Sequence, residues 1–181
     1  MRASTRAAGL AVAAALAATV GPAAFSGVAQ ADGLLLLKGW GTDQCLSTNH
    51  TSMAVTVDSC AKSDRWIPQA TNRTDADGRA MFQLVNFPQT GLCMQAPNLV
   101  KGAGLRLATC NQFDLSQVWD NTNDQDSANQ LKSGRPGVNL CLDRPTEHHF
   151  DGEAMQVWTC ASPHDPVFGD GHDEQRFFFV N

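Results

Sequence analysis

The chain has 181 residues, with 13 Lys and Arg against 18 Asp and Glu and a net charge of −5 at pH 7. That acidic balance, with no basic patch, argues against a nucleic-acid partner. The one long apolar run, Ala7 to Val20, is shorter than the roughly 18 residues a spanning helix needs, which argues against membrane insertion.

The first predicted element is a leader. Arg2 and Arg6 supply a positive region, the apolar run follows, Gly21-Pro22 breaks it, and Ala29-Gln30-Ala31 offers the small-x-small pattern that signal peptidase reads. Residues 1–31 are expected to be a cleaved signal peptide, and residues 32–181 a secreted single domain with one core. In that region 11 basic side chains face 18 acidic ones, a net charge of −7.

All six cysteines lie beyond the leader, and their spacing defines the organisation. Cys45 to Cys93 and Cys93 to Cys141 are both 48 residues, while Cys60 to Cys110 and Cys110 to Cys160 are both 50. Two independent sets of equal intervals mark three copies of one unit, at about 33–80, 81–128 and 129–181. In the first copy, Leu36 and a Gly39/Gly41 turn precede Cys45-Leu46, and Val55-Thr56-Val57 precedes Cys60. The second runs Leu84, Pro88, Gly91, Cys93-Met94, Leu105-Arg106-Leu107, Cys110. The third runs Leu131, Gly134, Cys141-Leu142, Met155-Gln156-Val157, Cys160. Period-two patterning bounded by Gly and Pro predicts short strands joined by turns, and no convincing helical stripe interrupts them. The class is all-β. An even cysteine count in an exported chain favours disulfides over metal or redox chemistry. If the bridges obey the repeat, pairing 45–60, 93–110 and 141–160 closes the shortest loops; a symmetric set between repeats is the alternative. Three repeats are too few for a propeller and lack the dissimilar caps of a solenoid, so a closed three-fold unit fits best.

Each copy carries a further signal after its second cysteine: Asp64-Arg65-Trp66, Gln117-Val118-Trp119 and Gln175-Arg176-Phe177. Cys141-Leu142-Asp143, then Gln156-Val157-Trp158-Thr159-Cys160, then Gln175-Arg176-Phe177 resembles the ricin B-chain lectin family over roughly residues 33–181. The resemblance implies a β-trefoil of twelve strands, six in a short barrel and six in hairpins that cap it. It implies a glycan or polysaccharide partner, commonly a galactoside or xylan-type chain, and a shallow sugar pocket in each copy. There an Asp after the first cysteine accepts from sugar hydroxyls, an aromatic ring stacks on the pyranose, and amides complete the set.

Carried over copy by copy, those roles survive in the third alone. The first has Ser47, Thr56 and Asp58 in place of the Asp, Gln and aromatic, and the second has Gln95, Arg106 and Ala108. The third keeps Asp143, Gln156, Trp158 and Gln175, with Glu174 where the family has Asn. Glu174 lacks an amide to donate and should repel Asp143. The stretch from Cys160 to Gln175 is longer than its counterpart and holds Pro163, His164, Pro166, Phe168, Gly169 and Gly171 beside the site. Trp66, Trp119 and Phe177 are expected in the core, and His148 and His149 in solvent. Asp165, Asp170, His172 and Asp173 match no metal-loop spacing, so neither metal nor cofactor is expected. No Gly-x-Ser-x-Gly, His-Glu-x-x-His or phosphate-loop motif appears, and no enzyme activity is expected. The expected protein is a monomeric secreted lectin with one site. The alternative is a protein-interaction trefoil, an inhibitor or noncatalytic subunit, whose sugar sites have decayed.

Overall fold

The computed structural model describes residues 34–123, 129–145, 150–161 and 173–181. Its strands in chain order are β1 Leu36–Gly39, β2 Gln44–Asn49, β3 Ala54–Ser59, β4 Trp66–Thr74, β5 Ala80–Asn86, β6 Leu92–Gln95, β7 Ala103–Gly104, β8 Arg106–Thr109, β9 Trp119–Asn123, β10 Asn129–Ser133, β11 Leu140–Asp143, β12 Gln156–Thr159 and β13 Phe177–Val180. Two one-turn 3₁₀ helices, Leu115–Gln117 and Asp173–Gln175, precede β9 and β13. Among the described residues no helix is long and apolar enough to cross a membrane.

Six strands close a barrel. The last strand of each copy pairs antiparallel with the first of the next: β4 with β5, β9 with β10, and β13 with β1. Within a copy, first and last strands meet at one bridge: Leu35 with Trp66, Phe82 with Trp119, and Asn129 with Phe177. The three residues expected in the core therefore stand at the three seams of the barrel, and all are fully buried. The indole N–H of Trp66 donates to the Leu46 carbonyl at 3.1 Å and that of Trp119 to the Met94 carbonyl at 3.4 Å. Both large rings thus bury their surface without orphaning a donor.

The hairpins β2–β3, β6–β8 and β11–β12 cap the barrel. They meet at the pseudo-three-fold axis in a ring of backbone bonds. Val55 N–H donates to Leu105 O (3.0 Å), Leu105 to Met155 O (3.1 Å), and Met155 to Val55 O (2.8 Å). The three side chains are buried together in one core. The one departure from twelve strands is in the second copy, whose outer strand is divided at Leu105 into β7, which pairs with β12, and β8, which pairs with β6 and β3. The fold is the all-β trefoil, with thirteen strand segments among the described residues in place of twelve.

The disulfides are the local set, Cys45–Cys60, Cys93–Cys110 and Cys141–Cys160. Alternation holds less strictly than the sequence suggests. Thr56, flanked by buried Val55 and Val57, is itself buried, because it bridges to Ala154 of the third hairpin.

Candidate functional site

In the third copy the β11–β12 register pairs Asp143 with Gln156 and Cys141 with Trp158. Residues two apart on a strand share a face, as do cross-strand partners, so this register gathers Asp143, Gln156 and Trp158 on one side of the hairpin. Asp143 is only 6% exposed, whereas the indole of Trp158 is 38% exposed. An acceptor at depth thus lies beside a flat apolar surface open to solvent.

The Asp143 carboxylate is held at both oxygens. Oδ2 accepts from Gln156 Nε2 at 2.7 Å and Oδ1 from Gln175 Nε2 at 3.0 Å. Burial pushes its pKa above the ordinary carboxylate value, and the amide bonds pull back without cancelling it, while Glu174 adds a further upward push. Gln175 itself is fully buried. Its Nε2 also donates to Thr159 O (3.0 Å), and its Oε1 accepts from Ala161 N (2.8 Å) and Gln130 Nε2 (2.9 Å). The sequence reading put the Gln175 amide among the ligand contacts. The structure puts it behind Asp143, orienting the carboxylate, because every polar atom of the side chain is already engaged.

Glu174 is also engaged internally. Its carboxylate accepts from Arg144 Nε at 2.5 Å, and the Arg144 N–H donates to the Glu174 carbonyl at 3.1 Å. Arg144 is buried, and its Nη1 reaches Thr42 Oγ1 at 3.2 Å. Its counter-charge offsets part of the repulsion expected between Glu174 and Asp143.

Sequence reasoning missed two residues here. Arg144 could have been found as the cation directly following the Asp143 motif. Lys101 gave no such signal, since it belongs to the second copy and reaches the site across the fold. Its Nζ lies 4.0 Å from the ring centroid of Trp158, within cation–π range. The turn that carries it is pinned to β12: Gly102 N–H donates to Val157 O at 2.8 Å, and β7 pairs with Gln156 and Val157. Gly102 sits at φ +80°, and a Cβ there would lie 3.5 Å from the indole.

The other copies reuse the same positions for structure. In the second, Gln95 stands where Asp143 stands in the third. Its amide donates to Asp114 Oδ2 (2.9 Å) and Ser116 Oγ (3.0 Å), and its carbonyl accepts from Arg106 Nε (3.1 Å). Burial pushes the Asp114 pKa up, but bonds from Ser116 and Gln95 outweigh it and hold the carboxyl below its ordinary value. Gln117 repeats the Gln175 pattern with Gln83, Asn111 N and Thr109 O. In the first copy Ser47 is buried, and Asp64 accepts from Thr48 and from Asn86 (3.0 Å), with His50 Nε2 3.4 Å away. Neither copy offers an exposed ring at the Trp158 position, where Asp58 and Ala108 stand.

The expected leader and its cleavage point, His148 and His149, and His164, Asp165, Phe168, Asp170 and His172 lie outside the described residues, as does most of the stretch between Cys160 and Glu174. Among the described residues, no group of three or more His, Cys, Asp or Glu is placed to hold a metal ion.

The family described as Ricin-type beta-trefoil lectin domain matches residues 33–166, which includes Asp143, Gln156 and Trp158 and stops before Glu174. No curated protein matches. Among solved structures, the designed three-fold symmetric protein ThreeFoil is similar at a TM-score of 0.64 and 17% identity, over 83% of this chain and 99% of that one. The cytolethal distending toxin of Haemophilus ducreyi is similar at 0.62 and 15%, over 90% and 92%. That of Actinobacillus actinomycetemcomitans is similar at 0.61 and 16%, over 81% and 90%. At such identities these likenesses carry the fold alone.

Proposed function

The chain belongs to the Ricin-type beta-trefoil lectin domain family, and from that premise we propose that it is a secreted, monomeric, noncatalytic lectin with one sugar site, in its third repeat. The observation that carries this reading is the contrast between copies. Among the described residues, only the third copy combines a buried carboxylate, held by two amides, with an exposed indole on the same face. Sugar hydroxyls would donate to the free lone pairs of Asp143, and Gln156 would complete the polar rim. The apolar face of a pyranose would lie on Trp158. A galactoside or xylan-type chain is the proposed ligand class, and cleavage after residue 31 the proposed route to the outside.

The test is a glycan array followed by titration with the purified protein. Asp143→Ala and Trp158→Ala should each abolish binding while the protein still unfolds in one cooperative thermal transition. Binding that survives both changes would refute the reading.

A second reading is a protein-interaction trefoil. It is favoured by the loss of the sugar-binding positions in two of the three copies, where Ser47 and Asp58, and Gln95 and Ala108, replace the Asp and the aromatic. A stoichiometric protein captured from culture supernatant, with no glycan bound on the array, would select it.

A further inference from the structure

Lys101 occupies the surface on which a sugar would stack. Among the described residues no carboxylate pairs with it, and its ammonium rests on the Trp158 ring. Nor is its position accidental. The flanking Gly102 is bonded to Val157, and Ala103 N–H closes the turn onto Val100 O at 3.0 Å. The root of the side chain is therefore fixed against β12.

The charges around it are balanced. Arg144 neutralises Glu174, which leaves Asp143 at the deep end of the site and Lys101 at the rim. A neutral pyranose stacking on Trp158 must push the ammonium off the ring and offers it only neutral hydroxyl acceptors in exchange. A pyranose with an anionic substituent at the rim replaces the cation–π contact with a charge-assisted hydrogen bond, the stronger interaction. Its anion would meet Lys101 and not Asp143, whose carboxylate is recessed and turned to the hydroxyls.

We propose that the third-repeat site selects acidic saccharides, meaning pyranosides with a carboxylate or sulfate beside the stacked ring, and that Lys101, lent by the second repeat, is the residue that reads the charge. This rests on the lectin reading above and narrows its ligand.

The experiment titrates the purified protein with matched sets: galactose, galacturonate and galactose 6-sulfate, and xylo-oligosaccharides with and without a glucuronate branch. The acidic member of a set should bind about 1.5- to 5-fold more tightly than the neutral one, the worth of one partly exposed charge pair. High salt should erase that preference. Lys101→Met should erase it too. Preference for uronate alone would identify a carboxylate ligand, and preference for both acids a general anion site; either supports the proposal. Trp158-dependent binding that favours the neutral sugar, or an acid preference that survives Lys101→Met, overturns it and leaves the lectin reading intact. No binding to any member overturns both.

Discussion

At the residue scale the decisive group is a carboxylate shielded from water. Because Asp143 has a folded pKa above its unfolded one, its ionised form costs stability at neutral pH, and that cost is relieved as pH falls through the folded value. Ligand binding carries the opposite sign, since the acceptor must be ionised. Affinity for a neutral sugar should therefore decline at a pH above the ordinary carboxylate range, while the fold gains from the same protonation. Titration calorimetry across mildly acid pH, beside a carboxyl NMR titration of Asp143, checks that the two events share a midpoint. Gln175 supplies a second prediction. Removing its amide in Gln175→Ala strips partners from Asp143, Ala161 N, Thr159 O and Gln130. The loss should be about 1–3 kcal/mol in denaturant unfolding, with weakened binding as well. A change confined to binding would mean that Gln175 is not the support the geometry makes it.

At the scale of elements, turns and staples decide. A Cβ on Gly134 would lie 2.8 Å from Val118 Cγ1 and 3.1 Å from the Val118 carbonyl, part of which is backbone that cannot swing aside. Gly134→Ala should cost about 1–3 kcal/mol by overpacking, read as a lowered denaturation midpoint with sugar binding retained. The three disulfides, at sequence separations of 15, 17 and 19, should each contribute about 3 kcal/mol. A Cys93→Ser/Cys110→Ser pair should lower the midpoint while leaving the third-repeat site functional, because that bridge lies in another copy. Much of this level was legible beforehand. Equal cysteine intervals, period-two runs and the aromatic after each second cysteine are consequences of local geometry, and local geometry is written in consecutive residues. Asp143, Gln156 and Trp158 came together for the same reason, being cross-strand neighbours in one hairpin. Lys101 and the split at Leu105 were not legible, since both depend on how one copy seats against another. No residue beside Lys101 reveals which ring it will meet.

At the scale of the molecule, Val55, Leu105 and Met155 tie the three hairpins into one cooperative unit. Met155→Ala would open a cavity at the axis, since the side chain is fully buried, and should cost about 2–5 kcal/mol. Because every hairpin leans on the other two, the variant should still unfold in a single transition by fluorescence and circular dichroism together. Separate transitions would mean that the copies are independent. The barrel seam has a mechanical side as well. β1 and β13 run antiparallel, with Leu36 beside Val180 and Gly39 beside Phe177, so both strands leave the barrel at the same edge. Tension between the two ends would load this pair as a zipper, one hydrogen bond after another, and not in shear along its length. The molecule should yield first by peeling Phe177–Val180 from Leu36–Gly39. Beyond that point each hairpin would still be locked by its own disulfide, so a stretched chain would pay out in short segments between three knots.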